Sequence, residues 1–239
     1  MSIFENLKSI HQHEEKLRSE SLAIIAANTE LEEHLRIVHE AMDIIYALTH
    51  DHPHRSDDEL TLQMLGVRLF NASAASVKLA LSGYCQIAFA QLRDIAETYF
   101  MLDYLRTNPD KIAAWKFADN RQHKKDFHPK VIRDALNNRD GFIAKKRDEM
   151  YATLCSFATH PTPQGFKLTS IDGSGEIGPF VLKPLLTAWL EESMKLIGDA
   201  AFVYAGHFDG VRPELETVKR RYFDTMMEWR KRYFPRPIS

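Results

Sequence analysis

Residues 57–107, DDELTLQMLGVRLFNASAASVKLALSGYCQIAFAQLRDIAETYFMLDYLRT, decide the fold. Apolar residues recur at three- and four-residue intervals along most of this stretch, which is the spacing of an α-helix with a buried face. Gly83 lies near the middle, and we expect it to kink or split the helical region. Asn108-Pro109-Asp110 ends the region, and Pro109 suits the first turn of a following helix.

The same spacing continues outward from this stretch. It predicts further helices at about 3–27, 30–49, 110–118, 129–137, 141–159, 184–207 and 213–233. Phe166–Ile171 alternates like a strand, Asp172-Gly173-Ser174-Gly175 is a turn signal, and Glu176–Val181 could return as a second strand. The sequence therefore predicts an all-α, multi-helix bundle of seven to nine helices with one small β-hairpin around 166–181. We expect a single domain over 1–239, with a separate N-terminal helical arm at 1–28 as an alternative.

The composition is that of a soluble globular protein. The chain has 239 residues, of which 44% are apolar and 27% charged, and its formal net charge of −2 excludes a wholly basic nucleic-acid coat protein. Cys85 and Cys155 form no CxxC pair, which suits a reducing compartment. The first residues lack the pattern of a signal peptide, and Lys78, Gln86 and Gln91 interrupt the most apolar stretch. We expect a cytoplasmic protein without a membrane partner.

Charge is unevenly distributed along the chain. Residues 1–60 hold 13 acidic and 5 basic side chains, a balance of −8, whereas 116–148 hold 10 basic and 5 acidic side chains, a balance of +5. A second basic segment, 212–236, has 8 basic and 4 acidic side chains, a balance of +4. Such asymmetry is typical of a protein that binds an anionic partner or an oppositely charged subunit. The alternative is that the charged side chains lie on solvated helix faces.

A polar stripe crosses the otherwise apolar helix around residue 92. Gln86, Arg93, Glu97 and Tyr104 project within roughly 40° of one another at 100° per residue. A stripe of this kind should face partners or a cavity, since burying unpaired polar groups is costly. In a site, Arg93 would hold an anion and Glu97 would orient Arg93 or move a proton. The alternative is an exposed ion pair that contributes about 0.2–0.5 kcal/mol.

A second candidate segment is Tyr151-Ala152-Thr153-Leu154-Cys155-Ser156-Phe157-Ala158-Thr159-His160. Ser156 and His160 are one turn apart near a predicted helix end, where a protonated histidine interacts favourably with the helix dipole. A capping role for His160 therefore competes with a catalytic role. Nothing in the segment marks a nucleophile elbow.

The two segments resemble those of a bacterial all-helical family of unknown function. Leu92-Arg93-Asp94-Ile95-Ala96-Glu97 is similar to its L-R-x-x-x-E helix, and Tyr151–His160 is similar to its Y-x-x-L-S-x-x-H segment, with Cys155-Ser156 where the family has Leu-Ser. Ile177-Gly178-Pro179-Phe180 is similar to a Gly-Pro turn of that family. The resemblance covers roughly 65–205. It implies an all-α fold with Arg93, Glu97 and His160 close together, but it implies no reaction.

A more distant resemblance is to helical nucleases of toxin and defence systems, which carry an arginine and a histidine with four to six residues between them. Arg121 and His128 fit with six intervening residues. About two such matches are expected by chance in this composition. If the resemblance is real, it implies an RNA-binding or RNA-cleaving module in which the basic segment 116–148 holds phosphates and a histidine is the general acid or base.

The histidine-rich break His50-Asp51-His52-Pro53-His54 is a weak candidate for a metal site, because His50, His52 and His54 could offer imidazole ligands. The alternative is an exposed loop. No Glu-x-x-His motif and no glycine-rich nucleotide fingerprint occurs in the sequence. The sequence therefore predicts no cofactor.

Two functional hypotheses follow. The first is a self-associating helical protein, a homodimer, whose polar pocket around Arg93, Glu97 and His160 binds a small anion or polar ligand. These three are also its catalytic candidates, and its binding candidates are Gln86, Arg93, Glu97, Tyr104, Tyr151, Ser156 and His160. The second is the RNA-directed module.

Overall fold

A computed structural model describes residues 2–141 and 146–233. Within these residues the chain forms ten α-helices: α1 (Ile3–Ala26), α2 (Thr29–Tyr46), α3 (Asp57–Leu81), α4 (Cys85–Thr107), α5 (Lys111–Phe117), α6 (Asn120–Asp126), α7 (Pro129–Arg139), α8 (Lys146–Leu154), α9 (Lys183–Ala205) and α10 (Pro213–Tyr233). The prediction of an all-α bundle with one small β-hairpin is confirmed. The helix missing from the prediction is α6, whose seven residues, NRQHKKD, have no apolar spacing and no buried member.

Two α-helices run on into π-helical turns. Ala47–Asp51 extends α2, and Cys155–Thr159 extends α8. Such turns are rare and occur frequently at functional sites. The second of them follows directly on the segment that carries Tyr151.

Gly83 splits the long helical stretch into α3 and α4. Its φ of 87° is in the left-handed region that favours glycine. The Gly83 and Tyr84 N–H groups donate to Ala80 O and Leu79 O, at 3.1 and 2.8 Å, which is the double closure of a Schellman motif. A Cβ at Gly83 would lie 2.8 Å from the backbone nitrogen of Phe180, so the turn also seats the segment that leads into α9.

The core is built by α2, α3, α4 and α9, with α9 packed against both α2 and α4. Its central side chains are fully buried, among them Ile44, Leu69, Leu92, Trp189 and Ile197. Each such aliphatic side chain contributes about 1.5–3 kcal/mol through burial. The indole N–H of Trp189 donates to Ser76 Oγ at 3.0 Å, so the largest core residue leaves no unpaired donor.

Among the described residues, α3 is the one helix long and apolar enough to cross a membrane by length and composition. Its most apolar window is 44% buried within the bundle. It packs against α2, α4 and α9, and Ser73 and Ser76 on its inner face are fully buried. These contacts are those of a core helix.

The hairpin is shorter than the sequence predicts. Pro163–Leu168 is a 3₁₀-helix, and only β1 (Ser170–Ile171) and β2 (Ser174–Gly175) pair, in antiparallel register. Asp172 and Gly173 both have positive φ, 51° and 82°, as a tight two-residue turn requires. The predicted strands over 166–171 and 176–181 are therefore mostly wrong, because the alternation around Phe166 belongs to a 3₁₀ turn.

The two halves of α1 differ in burial. Leu17, Ser21 and Ile25 of the second half are buried against the bundle. Four apolar side chains of the first half are exposed: Ile3, Phe4, Leu7 and Ile10. The N-terminal segment thus presents an apolar stripe that residues 11–141 and 146–233 do not cover.

Candidate functional site

The polar stripe of α4 faces α8 and the π-turn that follows it. Gln86 Nε2 donates to Ala158 O at 3.2 Å, and Arg93, about two turns further along α4, reaches Tyr151. Gln86, Arg93, Glu97 and Tyr104 are all partly buried. The stripe therefore lies at a contact between helices.

Arg93, Glu97 and Tyr151 form one hydrogen-bonded group, here called the Arg93–Glu97–Tyr151 cluster. Arg93 Nη2 donates to Glu97 Oε1 at 2.9 Å, and Arg93 Nε donates to Tyr151 Oη at 3.0 Å. The Tyr151 hydroxyl in turn donates to Glu97 Oε1 at 2.5 Å. Because the phenol accepts from one partner and donates to the other, it orients both charged groups.

Protonation states in the cluster follow from burial and charge. Burial raises the pKa of Tyr151, and the hydrogen bond to Glu97 raises it further, so the phenol keeps its proton and donates. Burial opposes the charge on Arg93, but the hydrogen bond with Tyr151 and the charge of Glu97 outweigh this effect and raise the pKa of Arg93. The cluster is therefore a fixed cation, a neutral phenol and a carboxylate that accepts from both.

Arg133 of α7 supports the cluster from the other side. Its guanidinium carbon lies 3.9 Å from the centroid of the Tyr151 ring, and its Nε donates to Asp148 Oδ1 at 2.9 Å. Arg133 is only 7% exposed. Within the described residues its Nη1 atom is buried without a hydrogen-bond partner, an arrangement that needs compensation from stacking and ion pairing.

A cleft of about 230 Å³ adjoins the cluster between α3, α4, α5 and α7. Its walls are mostly apolar: Leu65, Phe100, Met101, Trp115, Phe127, Pro129 and Ile132. The polar lining comes from Arg68, Glu97 and Thr98. Both hydrogen bonds of the Glu97 carboxylate end on Oε1, and over the described ranges no group donates to Oε2. Glu97 thus brings a pre-oriented acceptor to an apolar cleft.

The other sequence candidates lie outside the cluster. His160 is exposed and follows the π-turn as its C-cap, where its backbone N–H donates to Cys155 O at 2.8 Å. Across residues 2–141 and 146–233, no hydrogen bond or ion pair joins its ring to Arg93 or Glu97. Ser156 Oγ donates to Ala152 O of its own helix at 2.7 Å, and Tyr104 packs against the core. The structure thus joins Arg93 and Glu97 to Tyr151, and neither His160 nor Ser156 belongs to that group.

The three histidines of the break have different surroundings. His50 is exposed and contacts Asp51 at 2.8 Å, His52 is buried with its Nε2 3.2 Å from Glu59 Oε1, and His54 is exposed. In the part of the chain that the structure describes, no three His, Cys, Asp or Glu side chains are grouped as metal ligands. The loop is held instead by Glu59, whose pKa is lowered to about 2; burial raises it, but hydrogen bonds from Arg55 outweigh that effect.

Much of the basic segment 116–148 is engaged in ion pairs within the chain. Arg139 forms two bonds of 2.9 Å with the buried Asp103, and Arg147 pairs with Asp140. His128 is the N-cap of α7, where its Nδ1 accepts from the backbone of Lys130. Three basic side chains on α6 are exposed: Arg121, Lys124 and Lys125. Residues 142–145 of this segment lie outside the described residues.

Comparisons with protein families, with curated proteins and with solved structures find no match to this chain. The resemblances stated from the sequence stay predictions. The fold and the site together define a helical bundle with a carboxylate-bearing apolar cleft.

Proposed function

We propose that the cleft beside the Arg93–Glu97–Tyr151 cluster binds a small polar ligand, and that Glu97 is its principal polar contact. One observation carries the proposal: Arg93 and Tyr151 hold the Glu97 carboxylate through Oε1, while Glu97 also lines the cleft. Apolar walls with a few placed polar groups are typical of small-molecule sites.

The Glu97 carboxylate is a hydrogen-bond acceptor, and it favours a ligand with a hydrogen-bond-donating, cationic group. Arg93 has its Nε and Nη2 atoms engaged with Tyr151 and Glu97, which leaves less of it for an anion than the sequence alone suggests. A carboxylate that is already oriented loses little entropy on accepting a bond from a ligand amine, and charge-assisted bonds are the stronger kind. We therefore place the polar end of the ligand on Glu97 and its apolar body against Trp115 and Phe127.

The test is a titration followed by nuclear magnetic resonance of the three tryptophan indole N–H signals. Trp115 lines the cleft, whereas Trp189 and Trp229 are buried elsewhere and are internal controls. We expect 2-phenylethylamine to shift the Trp115 signal with a Kd of about 1 mM, which corresponds to about −4 kcal/mol for a fragment of this size. The neutral analogue 2-phenylethanol should bind more weakly.

The variant Glu97→Gln should abolish the preference for the amine. The matched control is Glu192→Gln, which removes a partly exposed glutamate paired with Lys195 at 2.7 Å on α9. Absence of any Trp115 shift with the amine, or an undiminished preference in Glu97→Gln, would refute the assignment of Glu97.

We also propose that the chain self-associates through α1. Ile3, Leu7 and Ile10 are exposed and lie at the three- and four-residue spacing of a helix–helix seam. A second copy of α1 supplies the same seam, and a two-fold arrangement lets each copy cover the other. Sedimentation velocity should show a dimer that Leu7→Glu converts to monomer, while Ile177→Glu, at an exposed site in the segment after the hairpin, leaves it intact. A wild-type monomer at every concentration would refute this proposal.

The RNA-directed function is the alternative, and it has less support. Arg133, Arg139 and Arg147 form ion pairs within the chain, so the segment offers less free positive charge than its balance of +5 suggests. The exposed basic side chains of α6 are the remaining support for RNA binding. No binding of transfer RNA at low salt would eliminate this alternative.

We also propose that the protein is located in the cytoplasm. Both cysteines are free thiols; Cys85 is buried, and burial raises its pKa to about 12. A buried free thiol is stable in a reducing environment. Localisation of a tagged full-length chain tests this proposal.

A further inference from the structure

The cleft carries two opposite charges at its lining and almost no other polar group. Arg68 of α3 and Glu97 of α4 both border it, with Thr98 as the remaining polar residue. An apolar cleft that offers one cation and one anion complements a ligand with the reverse pair. We infer that the cleft binds a free α-amino acid with an apolar side chain, an inference that rests on the function proposed above.

Arg68 is placed to receive a carboxylate. Its Nη2 donates to Asp94 Oδ1, which fixes the guanidinium beside α4. The guanidinium has five N–H donors, and this ion pair occupies only part of them. The Arg68 side chain is 58% exposed, so a ligand carboxylate can reach the remaining donors without disrupting the pair with Asp94.

Both charges are held at the same stretch of α4, Glu97 directly and Arg68 through its ion pair with Asp94. Asp94, which fixes Arg68, and Glu97 are three residues apart on α4, and side chains at that spacing are about 5–6 Å apart at Cβ. The amine and the carboxylate of an α-amino acid are separated by two bonds and can reach both partners together.

The size and the walls of the cleft define the rest of the ligand. Its volume of about 230 Å³ lies below the 300–1,000 Å³ typical of sites for drug-sized molecules. A single amino acid suits this volume, whereas a dinucleotide or a peptide exceeds it. Trp115, Phe127 and Ile132 offer mostly apolar surface to the side chain. A polar side chain would lose its hydration there without gaining a partner.

The experiment extends the tryptophan titration with L-phenylalanine, 3-phenylpropanoate and L-glutamate. L-Phenylalanine contains the amine of 2-phenylethylamine together with a carboxylate, and 3-phenylpropanoate lacks the amine. We expect L-phenylalanine to bind at least tenfold more tightly than either fragment, and L-glutamate at least tenfold more weakly than L-phenylalanine.

Variants separate the roles of the two charges. Arg68→Gln should remove the advantage of L-phenylalanine over 2-phenylethylamine, while 2-phenylethylamine should still shift the Trp115 signal. Glu97→Gln should weaken both. Arg36→Gln, which removes an exposed arginine paired with Glu40 on α2, is the matched control. Circular dichroism confirms that each variant is folded.

Failures of the two proposals can be told apart. Equal affinity for L-phenylalanine and 2-phenylethylamine, or L-glutamate binding as tightly as L-phenylalanine, would overturn the amino-acid inference and leave a simple amine site. Tightest binding by 3-phenylpropanoate would contradict the role of Glu97 itself. If none of these molecules shifts the Trp115 signal, both proposals are wrong.

Discussion

Removing the Tyr151 hydroxyl tests the candidate site most directly. In Tyr151→Phe, the Glu97 carboxylate loses a donor and the Arg93 guanidinium loses an acceptor, while the ring that stacks on Arg133 stays. Hydrogen bonds to charged groups contribute about 1.5–3 kcal/mol each in general. Arg93 and Glu97 remain bonded to each other and are 31% and 25% exposed, so water replaces part of the loss. We expect the free energy of unfolding to fall by about 1–2 kcal/mol.

Urea unfolding at pH 7, followed by circular dichroism, measures this change as a shift in midpoint at constant slope. Tyr151→Leu removes the ring as well, and loss of the cation–π contact with Arg133 should cost a further ~0.5–2 kcal/mol. A double-mutant cycle of Tyr151→Phe with Glu97→Gln should give a coupling free energy of at least ~0.5 kcal/mol. Unchanged stability in Tyr151→Phe, or zero coupling, would refute the cluster as described.

Two further predictions concern the core and its response to acid. Gly66→Ala should destabilise the protein by about 1–3 kcal/mol through overpacking, although alanine is the better helix former, because the new Cβ would lie 2.2 Å from Tyr204 Oη; a raised urea midpoint would contradict this. Burial lowers the pKa of His207 from 6.5 to about 4, so the unfolded chain binds this proton first as the pH falls. Because of His207, the free energy of unfolding should therefore fall by up to about 3 kcal/mol as the pH is lowered from 6.5 to 4. His207→Gln should flatten that part of the stability profile, and an unchanged slope would count against it.

Features set by local chain chemistry could be predicted from the sequence. Gly83 marks the α3–α4 boundary because a left-handed residue closes a helix. The stripe on α4 follows from helical periodicity, and the cost of burying unpaired polar groups predicts that it faces partners or a cavity. The sequence does not identify α8 as that partner. The cap of α2 shows the limit of such rules: Asn28 and Thr29 are both residue types that cap helices, and the structure shows that the Asn28 side chain accepts from the first turn.

Features that depend on distant segments could not be predicted in this way. Arg133 is 40 residues from Arg93 in sequence, and nothing in its own neighbourhood shows that it stacks on Tyr151. The cleft needs α3, α4, α5 and α7 together, and no spacing rule positions short helices such as α5. Only the family resemblance predicts that His160 lies near Arg93. In the structure, the backbone contacts of His160 are those of a capping residue.

The position of α9 has a consequence for biosynthesis. The groove between α2 and α4 that α9 fills is complete when synthesis reaches Thr107, but α9 ends only at Ala205. At about 5–20 residues per second, the ribosome needs roughly 5–20 s to add the intervening stretch. Throughout that interval the apolar groove between α2 and α4 lacks the helix that covers it in the finished bundle. Chaperone binding to nascent chains that end between these two residues is therefore expected to be strongest, and to cease once α9 has emerged.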